Sequence, residues 1–132
     1  MGLEGADHIS GGNGVDMLYG GAGNDRIWTG YAPSQKDPAD ETGATYLAGT
    51  ETVGDKDFAS GGSGDDKMYG VYNTMPSMGF NEALFGGAGN DDLYGYGGDD
   101  KLYGGTGHDF VEGGYGDDEI EGNEGNDDVD GD

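Results

Sequence analysis

The chain has 132 residues, 32 glycines and a formal net charge of −23 at pH 7. Only five residues are Lys or Arg, which argues against nucleic acid as a partner and against anionic membranes, because binding to either depends on basic side chains. The sequence has no Cys, and no apolar run approaches the roughly 18 residues of a membrane span, so disulfides, thiolate zinc sites and membrane insertion are excluded.

Nine-residue units begin near the start of the chain and share two fixed positions. Residues 2–28 divide into GLEGADHIS, GGNGVDMLY and GGAGNDRIW, residues 61–69 are GGSGDDKMY, and residues 86–130 hold five more units. The sixth place is aspartate in each unit, namely Asp7, Asp16, Asp25, Asp66, Asp91, Asp100, Asp109, Asp118 and Asp127. The eighth place is apolar, namely Ile9, Leu18, Ile27, Met68, Leu93, Leu102, Val111, Ile120 and Val129. This period argues against the disorder that the glycine content would otherwise indicate.

Each unit predicts a short strand followed by a turn. Places seven to nine form the strand, and the eighth side chain points inward because side chains alternate faces along a strand. Places one to six turn the chain, and glycines at the first, second and fourth places allow positive φ and close backbone approach. Glycine at this density disfavours helix, so we expect an all-β chain.

The predicted core is too thin to stabilise the chain alone. One inward aliphatic side chain per nine residues does not offset the conformational entropy lost when those residues are ordered. Carboxylates at a fixed spacing, next to turns with free carbonyls, are the ligands of a hard cation. Calcium fits better than magnesium, which requires a tight octahedron and retains its waters.

The units resemble GGxGxDxUx, the nonapeptide of RTX calcium-binding proteins. The resemblance implies a right-handed parallel β-roll with two units per turn and calcium between aspartates 18 residues apart. It pairs Asp91 with Asp109, Asp109 with Asp127, Asp100 with Asp118, and Asp7 with Asp25. It implies several Ca²⁺ ions, about four from the best-supported pairs and up to about nine.

The resemblance also implies that backbone carbonyls at places one, three and five complete the ligand shells. These residues are Gly11, Asn13, Val15, Gly20, Ala22, Asn24, Gly61, Ser63, Asp65, Gly86, Ala88, Asn90, Gly95, Gly97, Asp99, Gly104, Thr106, His108, Gly113, Tyr115 and Asp117.

Two interruptions separate the clear units. Within them, TVGDKDFAS (52–60) has Asp57 at the sixth place, and SMGFNEALF (77–85) has Glu82 there, so both are candidate ligands in degenerate units. The insertions proper are then 29–51 and 70–76, and Asp66 falls on the same edge as Asp91. Tyr96 and Asn123 replace the second glycine of their units, which predicts weaker sites.

Aromatic residues recur at the ninth place and allow two interpretations. They are Tyr19, Trp28, Tyr69, Tyr94 and Tyr103, with Phe85 in a degenerate unit. Such a stripe is typical of a ladder that stabilises a sheet, and the alternative is a platform for carbohydrate or a protein partner. An ice-binding roll ranks low, because the third place is threonine only at Thr106.

The remaining polar residues do not predict catalysis. His8 and His108 have no partner at ligand spacing, so we expect solvated side chains rather than metal ligands. Adjacent acids such as Asp91 and Asp92 could form a glycosidase pair, but one of them is already explained as a ligand and the pattern repeats. No Ser/His/Asp set, P-loop or HExxH motif occurs, so the chain is not expected to be an enzyme.

Taken with the resemblance, these features predict a calcium-binding module of a larger secreted protein, either an adhesin, a toxin or an exoenzyme exported by type I secretion. We expect the module to fold outside the cell when it binds calcium. Its partners are calcium ions and the rest of the parent polypeptide, and exposed roll ends would also allow end-to-end self-association.

Overall fold

The computed structural model describes residues 4–12, 14–30, 56–71 and 80–131. Eleven strands follow in chain order: β1 (His8–Ser10), β2 (Met17–Ala22), β3 (Arg26–Trp28), β4 (Phe58–Ser63), β5 (Lys67–Tyr69), β6 (Ala83–Ala88), β7 (Asp92–Gly97), β8 (Lys101–Gly107), β9 (Phe110–Tyr115), β10 (Glu119–Gly125) and β11 (Asp128–Asp130). No helix in these ranges has the length and apolar character to cross a membrane.

Successive strands alternate between two parallel sheets. The odd strands form a six-stranded sheet in the order β1-β3-β5-β7-β9-β11, and the even strands form a five-stranded sheet in the order β10-β8-β6-β4-β2. Leu84 is in register with Leu102, and Leu93 with Val111, so one turn of the roll contains two units. The predicted all-β parallel roll is confirmed.

The core is a single column of eighth-place side chains between the two sheets. Its buried members are Leu18, Ile27, Ala59, Met68, Leu84, Leu93, Leu102 and Val111, with Ile9 and Ile120 partly buried against them. Val129, which the pattern also placed inward, is 46% exposed. Because each unit contributes one side chain, the column is only one side chain deep, and other interactions must add to the stability of the turns.

Most strands are longer than the sequence predicted. Only β1, β3, β5 and β11 have three residues, whereas the other strands have six or seven and continue into the first places of the next unit. The prediction was wrong because it assigned the glycines of places one and two to the turn. The second-place residue adopts positive φ yet stays in the ladder, as Gly87 does opposite Gly105.

The turns that connect the two sheets lie at two edges of the roll, which we call the regular edge and the interrupted edge. The regular edge follows the even strands and carries Asp7, Asp25, Asp66, Asp91, Asp109 and Asp127. The interrupted edge follows the odd strands and carries Asp16, Asp57, Glu82, Asp100 and Asp118.

Both interruptions of the repeat fall at the interrupted edge, between β3 and β4 and between β5 and β6. Asp25 and Asp66 are 41 residues apart but occupy adjacent turns, and Asp66 and Asp91 are 25 apart, instead of the 18 found between Asp91 and Asp109. Thr29 donates its N–H to Tyr69 O, and Gly70 donates to Tyr94 O, so both belong to the ladder. The predicted insertions 29–51 and 70–76 lie for the most part outside the described residues, and their bounds stay a prediction.

Candidate metal-binding edges

Adjacent turns are tied together through sixth-place carboxylates at eight points along the two edges. The backbone N–H of Asp91 donates to Asp109 Oδ1 at 2.9 Å, and that of Asp66 donates to Asp91 Oδ1 at 2.8 Å. The same bond joins Asp7 to Asp25, Asp25 to Asp66, Asp109 to Asp127, Asp16 to Asp57, Glu82 to Asp100, and Asp100 to Asp118. The structure thus brings together the four aspartate pairs that the resemblance implied and joins the degenerate units to them.

In eight of these residues the second carboxylate oxygen is buried and lacks a hydrogen-bond partner. This holds for the Oδ2 atoms of Asp16, Asp25, Asp66, Asp91, Asp100, Asp109 and Asp118, and for Glu82 Oε2. A buried carboxylate oxygen without a donor is destabilising, and here the condition recurs along both edges. A bound cation would supply the missing partner.

The first-place glycines make room for these oxygens. A methyl group built on Gly95 would lie 2.6 Å from Asp100 Oδ2 and 2.6 Å from the carbonyl oxygen of Gly113 in the next turn. Both oxygens therefore face the same α-carbon, one from a carboxylate and one from a peptide group. Only glycine leaves the space between them open.

Burial raises the pKa of the edge carboxyls. The pKa of Asp66 rises to about 6 and that of Asp91 to about 7, mainly because burial disfavours the charged form, although a backbone hydrogen bond to each opposes the rise. Burial also raises the pKa of Asp109 and Asp118. Without a cation, these carboxyls hold protons more tightly than in water.

Glu82 and Asp100 lie on adjacent turns of the interrupted edge, where the Glu82 N–H donates to Asp100 Oδ1. Burial is the largest cause of the raised pKa of both groups, and the Asp100 carboxylate raises the pKa of Glu82 further. Glu82 is 2% exposed, and its Oε2 would lie 3.1 Å from a methyl group on Gly70. Glu82 therefore occupies the position that aspartate has in the regular units.

Additional ligands must come largely from the backbone. Among the residues that the structure describes, no three His, Cys, Asp or Glu side chains form a metal-binding group, so the carboxylates occur as successive pairs. First-place carbonyls lie against the preceding turn, as those of Gly61, Gly86, Gly104, Gly113 and Gly122 do. This is the kind of donor set, few charges and many carbonyls, that calcium accepts.

The third-place carbonyls already hold one hydrogen bond each. Those of Ala22, Ser63, Ala88, Thr106 and Tyr115 accept the N–H of the fourth-place residue one turn earlier, at 2.6 to 2.9 Å. A carbonyl oxygen has a second lone pair, so they remain compatible with a ligand role. Fifth-place residues such as Val15 and Asp99 lie in the turns, and Asn13 lies outside the described residues.

A family model, the RTX calcium-binding nonapeptide repeat, matches four copies in residues 1–30, 53–70, 78–111 and 103–132. The chain belongs to this family. No curated protein and no solved structure matches it. RTX repeats bind Ca²⁺ and form a non-catalytic module, and the matched residues include both degenerate units except for the first residue of each. The partnerless oxygens of the two edges fit that ion.

The RTX roll has a second, outer ladder that the sequence analysis missed. Its rungs run from the N–H of a fifth-place residue to the fifth-place side chain one turn earlier, as from Asp65 to Asn24 Oδ1 at 3.2 Å and from Asn90 to Asp65 Oδ1 at 2.8 Å. The other rungs join His108 to Asn90, Asn126 to His108, Asp99 to Asn81, and Asp117 to Asp99. The recurrence of Asn, Asp and His at the fifth place was the available signal.

The outer ladder gives His108 a structural role. Its Nδ1 accepts the N–H of Asn126 at 3.1 Å, so the exposed ring takes the place of an asparagine side chain. A neutral imidazole can accept at Nδ1 only when Nε2 carries the proton. The expectation of a merely solvated side chain was therefore incomplete. His8 instead makes an edge-to-face contact with Trp28, with ring centroids 6.0 Å apart.

The predicted aromatic stripe is two ladders on opposite faces of the RTX roll. On the odd sheet, Trp28 stacks on Tyr69 at 5.6 Å and Tyr69 on Tyr94 at 5.3 Å. On the even sheet, Phe85 stacks on Tyr103 at 4.9 Å. The prediction of a single stripe was wrong because successive units join alternate sheets. The stacked rings cover one another's faces, which favours the stabilising role over a carbohydrate platform.

Proposed function

We propose that this RTX module folds as it binds calcium outside the cell and serves as a structural segment of a protein exported by type I secretion. The observation that carries the proposal is the set of buried, partnerless carboxylate oxygens on both edges. Such a set is costly in an ion-free roll, and it suits a chain that is folded only where calcium is abundant.

Ligand sets drawn from two turns couple binding to folding. Asp91 Oδ1 binds the preceding turn through the Asp66 N–H, while its Oδ2 remains available for a cation. When bound, the ion would offset the mutual repulsion of these carboxylates. Because the ligands converge only after neighbouring turns have stacked, we expect folding to be cooperative in calcium.

The charge of the chain supports an unfolded state when calcium is scarce. A net charge of −23 with 32 glycines disfavours collapse, so the chain should stay extended at cytosolic calcium. Export through a narrow channel requires such a state. Extracellular modules bind calcium with Kd values of about 0.1 to 1 mM, and we expect this affinity here.

A calcium titration followed by far-UV circular dichroism tests the proposal. The protein is freed of metal on a chelating resin and titrated with calcium to about ten times the expected Kd of about 1 mM, with magnesium as the matched control. We expect a cooperative gain of β-structure with calcium alone, together with a decrease in hydrodynamic radius. The same β signal in chelator and in calcium would show that folding does not depend on the ion.

A further inference from the structure

The outer face of the odd sheet carries opposite charges on its two halves. Places seven and nine of each strand point outward, because side chains alternate and the eighth place points to the core. The described strands β1, β3 and β5 place His8, Arg26 and Lys67 outward and no acid. Strands β7, β9 and β11 place four acids there and no base, namely Asp92, Glu112, Asp128 and Asp130. In a chain with only five Lys and Arg residues, this is a local concentration of positive charge.

Each half of this face also places like charges side by side. Arg26 lies directly opposite Lys67 on the neighbouring strand, and Glu112 lies directly opposite Asp130. Directly opposed like charges destabilise a sheet. Lys67 binds Asp92 at 2.6 Å, at the boundary between the two halves. A facing surface with the reverse order of charges would offset the repulsion in both halves.

The face itself provides that reverse order. When a second copy packs on it about a two-fold axis parallel to the strands, the order of the strands is inverted. Strand β1 then faces β11 of the second copy, β3 faces β9, and β5 faces β7. Arg26 therefore meets the strand that carries Glu112, and Lys67 meets the strand that carries Asp92. A two-fold axis lying across the strands would instead place the basic halves against each other.

We propose that the outer face of the odd sheet is an interface between two copies of the folded chain. The half-buried rings of Trp28, Tyr69 and Tyr94 form its centre, and the charged residues lie around them, as in an isologous contact with an aromatic core and a polar rim. Two chains of net charge −23 repel each other, so close approach requires an alignment of bases with acids.

The size of the face indicates a weak dimer. Six strands at a spacing of about 4.8 Å give it a length of about 24 Å. Several of these strands have only three residues, so the face is narrow. The contact is therefore smaller than the roughly 800 Å² per partner of a standard interface, and we expect a dimer that forms at micromolar concentrations.

Charge reversal at two facing residues tests the pairing. Arg26→Glu and Glu112→Arg each place like charges across the two-fold axis, and the double variant restores opposite charges. Within one copy, residue 26 lies beside Lys67 and residue 112 beside Asp130, so neither reversal creates a like-charge pair and both variants should fold. The matched controls are Lys56→Glu and Glu121→Arg, which change the net charge equally at exposed residues away from this face.

Sedimentation velocity at saturating calcium, over about 5 to 500 µM protein, measures association, and circular dichroism confirms folding. We expect each single variant to weaken the dimer by about tenfold or more, while the double variant and both controls match the wild type. An equimolar mixture of the two single variants should dimerise although neither does so alone. In that mixed dimer every facing pair again has opposite charges.

Two outcomes would overturn the interface. A folded wild type that stays monomeric at all concentrations refutes it and leaves the proposed function standing. A dimer that persists unchanged in Arg26→Glu refutes it as well and points to contact through the roll ends. Conversely, a chain that is folded and dimeric with and without calcium contradicts only the proposed calcium-dependent folding.

Discussion

The two oxygens of a sixth-place carboxylate have different tasks. In Asp66, Oδ1 accepts the N–H of Asp25 at 2.8 Å and holds the turns together, whereas Oδ2 is buried without a partner. Asparagine preserves the first task, because its amide oxygen can accept the same bond, and it removes the charge needed for the second. The two tasks can therefore be separated by substitution.

We expect Asp66→Asn to raise the calcium concentration at the folding midpoint by about tenfold, because calcium affinity depends on the number of charged ligands. The matched control is Asp65→Asn, which removes the same formal charge from the adjacent exposed residue and keeps an acceptor for the Asn90 N–H. Circular dichroism during calcium titration gives both midpoints. Equal shifts in the two variants would mean that total charge, and not ligation by Asp66, sets the midpoint.

First-place glycines make a second prediction at this scale. Gly95→Ala places a methyl group 2.6 Å from both Asp100 Oδ2 and Gly113 O, so one of these groups must move. We expect a loss of about 1 to 3 kcal/mol in the free energy of unfolding at saturating calcium. Gly131→Ala, whose nearest neighbour would be Ile120 Cδ1 at 3.9 Å, should be neutral. Urea unfolding measures the free energy of unfolding of both variants. Equal values would show that a methyl group at residue 95 is not crowded.

At the scale of the strands, stacked rings stabilise adjacent members of a sheet. Tyr69 lies between Trp28 and Tyr94, with interplanar angles of 14° and 4°. We expect Tyr69→Ala to cost about 1 to 3 kcal/mol, from two aromatic contacts of about 0.5 to 1.5 kcal/mol each. Tyr115→Ala is the control, because Tyr115 is 57% exposed. Thermal unfolding in the presence of calcium measures the loss of stability in both variants. Equal losses would argue against a stabilising aromatic ladder.

The strands and the core could be predicted from the sequence wherever the nine-residue pattern repeats without exception. The eighth place gave the buried column, because alternation along a strand leaves no other face for Leu93 or Leu102. Strand length was missed because a second-place glycine suggests a turn, while Gly87 keeps its place in the ladder at φ 116°. The split of the aromatic stripe was missed because it depends on which sheet each unit joins.

The site was predictable in its carboxylates and less so in its surroundings. Fixed spacing identified the sixth-place aspartates, and the same spacing placed Asp57 and Glu82 at the sixth place of the degenerate units 52–60 and 77–85. The outer rung from Asn90 to Asp65 was missed because the consensus leaves the fifth place open, although Asn, Asp and His recur there.

For the whole molecule, the raised carboxyl pKa values predict opposite pH dependences with and without calcium. Asp66 and Asp91 have folded-state pKa values of about 6 and about 7, above their ordinary value of 3.8. The folded state thus favours the protonated form, so this contribution to stability is present at low pH and is lost as the pH rises through 6 to 7. In metal-free buffer, we expect β-structure to increase between pH 7.5 and pH 5.

With calcium the direction reverses, because protons and calcium compete for the same oxygens. The calcium midpoint should rise as the pH falls below about 7. Circular dichroism at a series of pH values, in resin-treated buffer and at fixed calcium, measures both trends. A metal-free chain that loses structure on acidification would contradict the buried, proton-binding carboxyls.

The parallel register also has a mechanical consequence. One turn of the roll advances by a single strand spacing, about 4.8 Å, whereas its 18 residues, when fully extended, span roughly 60 Å. A force applied to the two ends of the chain therefore peels turns one at a time and lengthens the tether by more than tenfold for each turn released. Calcium concentration would then set the force at which this spacer yields, making the roll an extensible link whose stiffness is controlled by the surrounding solution.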